Sequence, residues 1–249
     1  MPARLERTGK AMTNGIFETE IVGADPWTVT VWSDIGCPWA TLALHTLHAA
    51  AAARGREILV NHRAFPLELF NQMPTPKFIV DAEVVVIGGR HPELGWRPWR
   101  GPESTYPVTT LPALEAVQAA KSPIVGGLRA SDELDSALRA AFFTDHACIS
   151  IHSVLMEVAA ECEHVDTAAF ADALARGSGR TEVYRDWRLA QGPAVNGSPH
   201  LFTASGFARH NPGAVYHWSA APPIGFPVYG SYSDSWAAEL LDLVAEPVS

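Results

Sequence analysis

Cysteine is scarce in this sequence. Three cysteines occur among 249 residues, at positions 37, 148 and 162. That is too few, and too irregular in spacing, for a disulfide framework. Such usage fits a reducing compartment, and the expected location is the cytoplasm. No long run of lysine and arginine occurs and the formal charge is −9, so nucleic acid and anionic membrane are poor partners. No uninterrupted apolar run approaches the roughly 18 residues needed to span a bilayer. The stretch from Met1 to Gly23 lacks the apolar centre of a secretory signal and reads as a loose arm or leader. Neither Gly88-Gly89 nor Gly177-Ser178-Gly179 follows a strand and opens a helix as a phosphate-cradling loop must. The ten histidines show no convincing ligand spacing with an acid or thiolate. His45 and His48 fall on one helix and His146 and His152 flank Cys148, so core or surface roles are expected and no metal.

What remains is an ordinary globular composition, 47% hydrophobic and 18% charged, long enough for one large domain or a domain with a substantial insertion. Thr28–Ser33 reads as a buried strand with Val29 and Val31 on one face. Pro38–Arg54 reads as an Ala- and Leu-rich helix stopped by Gly55, and Glu57–Arg63 as a second strand. This β-α-β order implies a parallel pair with a crossover helix. Ala64 to Pro107 is dense in Pro, Gly and Trp, with Lys77–Val86 able to form one short helix or strand. Segments of this kind often cover a site. Helical patterns follow over Leu111–Lys121, a run capped by Ser131, Ile149–Cys162, Thr167–Ala175 capped by Asp166, and Thr181–Ala190. The chain then returns to strands at His200–Phe202. Phe207–Arg209 and Ala214–Trp218 read as hairpin arms around Asn211-Pro212-Gly213. A final helix carries Trp236, Leu240, Leu243 and Val244 on one face.

Cys37 is the leading functional candidate. The apolar strand ends at Ser33, a turn follows, and Pro38 suits the first helical position because its missing N–H costs nothing there. Cys37 is then the N-cap, facing unpaired backbone N–H groups and the positive end of the helix dipole. A thiol so placed is expected to titrate below the free value of about 8.5 and to act as a nucleophile. The fourth position of a Cys-x-x-Cys motif is Ala40, so the usual resolving thiol is absent. Trp39 would shield the thiolate. Cys148 and Cys162 read as residues of one core helix, roughly 20 Å apart along its axis and not bonded to each other. Cys148 would resolve an oxidised Cys37 only if the helical insertion folded over the site. Trp96 and Trp99, flanked by Arg97 and Arg100, would either line a pocket for a flat or anionic ligand or pin a loop. His200 follows Pro199, and strand alternation can turn it away from Cys37.

The order β-α-β, helical insertion, β-β-α, with a cysteine opening the first helix, resembles a thioredoxin fold carrying a DsbA-type α-helical insertion. Val195-Asn196-Gly197-Ser198-Pro199-His200-Leu201-Phe202 is similar to the superfamily element in which a cis-proline begins a strand facing the active-site cysteine. His62-Arg63-Ala64-Phe65-Pro66-Leu67, Tyr106-Pro107-Val108-Thr109-Thr110 and His210-Asn211-Pro212-Gly213 resemble FrnE-like members of the DsbA family. The resemblance implies an α/β fold in one DsbA-like domain over 27–249, after an arm at 1–26. The thioredoxin parts would be 27–66 and 193–249 and the insertion about 67–192. It implies thiol–disulfide oxidoreductase chemistry with Cys37 as nucleophile. Pro38, Trp39, Ser198 and Pro199 would bind substrate, with a cis Ser198–Pro199 bond, and Trp96 and Trp99 stand as further substrate-binding candidates.

No tightly bound cofactor is expected. With Ala40 in place of a second cysteine, an outside thiol such as glutathione or mycothiol would clear a mixed disulfide. The alternatives are a thiol-dependent transferase or isomerase acting on a small organic substrate, as in the kappa-class transferases and hydroxychromene carboxylate isomerases, and a non-catalytic binding member. The expected partners are a small thiol or disulfide or a small organic molecule. The oligomeric state is left open.

Overall fold

The computed structural model describes residues 19–245. Of the N-terminal arm, residues 1–18 lie outside the described residues. Residues 19–22 form a helical turn whose Ile21 is buried against Trp32. The Trp32 indole N–H donates to the Ile21 carbonyl at 2.9 Å, which satisfies the one polar atom of a fully buried ring.

Strand β1 spans Thr28–Ser33, helix α1 Pro38–Ala53 and strand β2 Leu59–Ala64. All six residues of β1 are buried because it is central: β2 pairs with it in parallel, and β3 (His200–Thr203) antiparallel on its other edge. The Pro-, Gly- and Trp-rich stretch holds α2 (Leu67–Asn71), α3 (Lys77–Gly88) and two 3-10 turns, Pro92–Leu94 and Glu103–Thr105. The strand-or-helix choice at Lys77 falls to helix because Val80, Val84 and Ile87 recur at helical spacing and are buried. Five further helices follow: α4 (Leu111–Ala120), α5 (Gly127–Phe143), α6 (His152–Ala160), α7 (Thr167–Ala175) and α8 (Arg180–Leu189).

Two helix boundaries differ from expectation. Ser131 is not a cap. Helix α5 begins a turn earlier, and the fully buried Ser131 hydroxyl donates across to the Val117 carbonyl in α4 at 3.0 Å. A hydroxyl that suits a helix start also suits a helix–helix contact, and the packing chose the second role. Helix α6 is shorter than Ile149–Cys162 at both ends, so Cys148 and Cys162 both lie outside it. All three cysteines are free thiols.

Strands β3 (His200–Thr203) and β4 (Ala208–His210) complete a four-stranded sheet of order β2-β1-β3-β4. Strands β5 (Ala214–Trp218) and β6 (Pro227–Tyr232) form a separate antiparallel hairpin, and α9 (Ser235–Leu243) closes the described chain. The expected pairing of Phe207–Arg209 with Ala214–Trp218 is therefore wrong. The turn at Asn211-Pro212-Gly213 does redirect the chain, but it passes it from one sheet to the other. Gly213 is required there: its φ is 77°, and a Cβ would come within 2.0 Å of the Ser233 carbonyl oxygen.

Four apolar cores form among the described residues, one of them around Cys37, Trp39 and Ile87. Val29, Val31, Val60 and Leu201 pack with Leu44 and Leu47 of α1 and with Trp236, Leu240 and Leu241 of α9. Leu243 is 38% exposed and does not join that face, whereas Val244 is buried. The second core, around Trp32, Phe65 and Phe202, lies on the other side of the sheet. The third belongs to the helices and takes in Ile35 and Ala64 from the ends of β1 and β2. Asp166 caps α7 as expected, its carboxylate accepting from the Ala169 N–H at 2.9 Å. Asp166→Ala should cost about 1 kcal/mol. In urea this would be read as a lower unfolding midpoint at unchanged slope.

Candidate active site

The site grows from the end of β1. Trp32 stands opposite His200 in the antiparallel β1–β3 register, which brings Ser198-Pro199 opposite Ser33-Asp34. Cys37 is the N-cap of α1, with Pro38 in the first turn. The Cys37 sulfhydryl donates to the Ser198 carbonyl at 3.3 Å, and the Asp34 N–H donates to the Ser198 hydroxyl oxygen at 2.9 Å. The two loops are thus bonded to each other at both residues. The Ser198–Pro199 peptide is cis, as is Pro222–Pro223. Gly197 has φ 152°, and a Cβ there would come within 2.6 Å of His210 Nε2.

Beneath the turn lies a buried polar network. Asp34 accepts from the Gly36 N–H at 2.8 Å, the Leu67 N–H at 2.8 Å and the Thr110 hydroxyl at 3.1 Å. Arg139 of α5 is 3% exposed. It donates to the Asp34 carbonyl at 3.1 Å, the Thr41 hydroxyl at 3.0 Å and the Ser33 hydroxyl at 2.9 Å, and is paired with Asp135 at 2.6 Å. One guanidinium from the helical segment therefore holds the strand end, the turn and the first turn of α1. The network continues through His62, 3.5 Å from Asp135 and 2.7 Å from Asp132, to His48, 3.0 Å from Asp132. Burial is the largest single influence and raises the Asp132 pKa, but the hydrogen bonds and charges of His48 and His62 together outweigh it and hold the carboxyl well below the usual range.

Above the thiol the site is closed. Cys37 is 6% exposed and Trp39 3%. The Trp39 ring stacks on Tyr216 of β5 with centroids 3.9 Å apart, and Tyr229 of β6 lies 5.7 Å away. Tyr229 is anchored by a 2.7 Å hydrogen bond with His91, and Tyr232 by one of 2.8 Å with Thr46. Trp96, Leu94 and Ile87 complete the apolar wall. This closure overturns the expected thiol pKa. Burial, then the like charge of Glu83, push Cys37 up to about 12. The Ser198 bond and the Ala40 N–H at the helix start pull the other way and do not prevail.

The structure gathers Cys37, Pro38, Trp39, Ser198 and Pro199 at one place. Ala40, fully buried, occupies the position of a second cysteine. Trp96 borders the cluster, but Trp99 does not. It packs edge-on to Tyr106 at 5.2 Å with Phe142 and His146 nearby, and Arg97 and Arg100 are exposed. His200 turns away from the thiol: its Nδ1 accepts from the Asn196 N–H at 3.0 Å, and burial, then His210, lower its pKa to about 4. Cys162 packs in the helical core, its pKa raised by burial to about 11. Cys148 lies between α5 and α6 and is half-buried. A cleft of about 690 Å³ runs along α1, lined by His45, His48, Trp96, Arg129 and Asp132 among others, and Cys37 does not line it.

Sequence reasoning missed Glu83, Tyr216, Tyr229 and Arg139. A signal existed for Glu83, a single acid on an otherwise apolar helical stripe. None existed for the tyrosines, whose place depends on how the hairpin folds back.

Arg139→Met should destabilise the protein by about 3–5 kcal/mol, because it leaves the buried Asp135 carboxylate with only His62 at 3.5 Å beside it. Arg139→Met combined with Asp135→Leu should recover much of that loss, since no orphan carboxylate remains. Chemical denaturation of the two variants checks both parts.

No family model matches this sequence, and no curated protein matches it in sequence. Solved structures do match in fold. The cytosolic disulfide reductase DsbM of Pseudomonas aeruginosa is 19% identical, with a TM-score of 0.55 over 86% of this chain and 97% of that one. The same protein with GSH gives 19%, 0.56, 86% and 98%. A probable DsbA oxidoreductase from Streptomyces coelicolor is 18% identical, with a TM-score of 0.57 over 89% of this chain and 92% of that one. The chain thus has the α/β architecture of a DsbA-type thioredoxin fold with its helical insertion.

Proposed function

We propose that this protein is a cytoplasmic thiol–disulfide oxidoreductase of DsbA type that works with one cysteine, Cys37. The observation that carries this reading is the Cys37 sulfhydryl on the Ser198 carbonyl, beside Pro199 and at the start of α1. The paired loops supply a place where an incoming sulfur can be held against the nucleophile. All three segments that resemble FrnE-like proteins border it: the Leu67 N–H and the Thr110 hydroxyl donate to Asp34, and the Asn211 N–H donates to the Pro199 carbonyl at 2.9 Å.

In this reading the Cys37 thiolate attacks one sulfur of a small disulfide. A bond forms between Cys37 and that sulfur, the disulfide bond breaks, and the other half leaves as a thiolate that takes up a proton. Ala40 cannot attack the mixed disulfide. An outside thiol attacks instead, loses its proton, forms a disulfide with the bound half and returns Cys37. A GSH-type thiol is the first cosubstrate to test, since one structural neighbour carries GSH. The cover of Trp39, Tyr216 and Tyr229 favours a small substrate over a folded protein.

A second reading is favoured by one observation. A thiol pushed up to about 12 is a hydrogen-bond donor at neutral pH. In a thiol-dependent transferase or isomerase, Cys37 would stabilise the anion of a bound cosubstrate, which attacks a small organic electrophile.

Turnover of hydroxyethyl disulfide with glutathione separates the readings. Cys37→Ser should lose at least about a hundredfold in rate, because a hydroxyl is a far weaker nucleophile at neutral pH. Wild-type protein given the disulfide alone should gain one adduct on Cys37 by intact mass, which glutathione removes. Cys148→Ser and Cys162→Ser should keep most activity. If Cys148→Ser traps the adduct and wild type does not, Cys148 is the resolving thiol and the one-cysteine mechanism is wrong. A Cys37→Ser protein that retains thiol-dependent transfer to an electrophile would support the second reading.

A further inference from the structure

Glu83 is the acid in the apolar stripe of α3. Val80, Glu83, Val84 and Ile87 fall on one face, and all four are buried. Ile87, one turn along, packs in the cluster that holds Cys37, Trp39 and Ala40, so the stripe runs towards the nucleophile. Glu83 forms no ion pair among the described residues. Its polar neighbours are the indoles of Trp39 and Trp218, and the buried Trp39 Nε1 has no hydrogen-bond partner of ordinary geometry. A buried carboxyl with two indoles and no cation is costly to ionise, and nothing in the packing of α3 calls for it.

The remaining titratable and charged groups around the pair do not offset this. Asp34, in the turn before α1, adds a smaller repulsion on Cys37, and burial raises its own pKa. Tyr216 of β5 stays a neutral phenol, pushed up by burial and by the charges of Cys37 and Glu83. Arg90 lies over the Tyr229 ring at 5.6 Å, and His91 is bonded to Tyr229 and to Glu93.

We propose that Glu83 and Cys37 share a single negative charge, so that an ionised Glu83 keeps Cys37 as a thiol and a neutral Glu83 releases it. Two like charges buried on the facing sides of α1 and α3 cannot both form cheaply, and such a pair titrates as a unit. Glu83 is a positioning residue for the charge of the nucleophile. Burial raises its pKa to about 7, which places the exchange near neutrality. The sign follows. Below pH 7 Glu83 is neutral, and the reactive thiolate fraction rises about tenfold per pH unit, as for any thiol below its pKa. Above pH 7 each further step towards thiolate meets a carboxylate already charged, and the rise levels off. The consequence for function rests on the redox reading above: disulfide turnover would be flat across the mildly alkaline range instead of climbing with pH.

The test is the rate of Cys37 alkylation by iodoacetamide from pH 5.5 to 9.5, followed by peptide mapping in wild type, Glu83→Gln and Glu83→Asp. Wild type should level off above about pH 7. Glu83→Gln should match it at pH 6, continue to rise, and exceed it by at least about tenfold at pH 9. Glu83→Asp, which keeps a carboxylate, should restore the levelling. Wild type that keeps rising tenfold per unit overturns the inference without need of any variant. So do parallel profiles for wild type and Glu83→Gln, the result expected if the substitution only loosens the packing or if His91 causes the levelling. A Glu83→Gln protein slower at every pH overturns it as well. Alkylation needs no disulfide turnover, so an inactive protein would sink the proposed function and leave these profiles to decide the charge sharing.

Discussion

The buried Arg139–Asp135 pair is the constraint on which the site depends. A guanidinium almost free of solvent is tolerated only where its donors are occupied, and here carbonyls and hydroxyls of β1, the turn and α1 supply most of the acceptors. The charge that makes this arrangement costly also makes it directional. Few other side chains could reach from α5 to both the Asp34 carbonyl and Thr41. The helical insertion is thereby fastened to the thioredoxin part at the segment that presents Cys37. The pair further connects through His62 and Asp132 to His48 on α1, so two surfaces of α1 are braced by one polar chain.

The second determinant is the hairpin β5–β6. It belongs to no sheet but its own, and it covers the Cys37 site with Tyr216 stacked on Trp39 and Tyr229 tilted beside it. Stacking of this kind adds about 0.5–1.5 kcal/mol beyond burial. Closure changes the chemistry of the thiol as well as its access. The helix N-terminus favours the anion within its first turn, but removal of water from the sulfur disfavours it more strongly. Cys37 rests as a thiol, held so first by burial and then by the charge of Glu83, against the pull of the helix start.

The sequence alone determined the scaffold of the site. A buried apolar strand, a turn, Pro38 after Cys37 and an Ala-rich helix ending near Gly55 are local signals, fixed by side-chain spacing and by backbone geometry. Gly197-Ser198-Pro199 before a short strand is equally local, and so is the Asp166 cap. Tertiary structure decided the rest, because those features depend on residues far apart in the chain. Ser131 packs against α4 instead of capping, since a hydroxyl serves either use. Ala214–Trp218 pairs with Pro227–Tyr232 and not with the strand before it, since a turn signal marks a reversal without naming the partner. The raised pKa of Cys37 follows from its burial and then from Glu83, set by three separate elements, β5, β6 and α3. Local sequence specifies where a thiol stands on a helix, and only the folded chain specifies how much water and how much charge surround it.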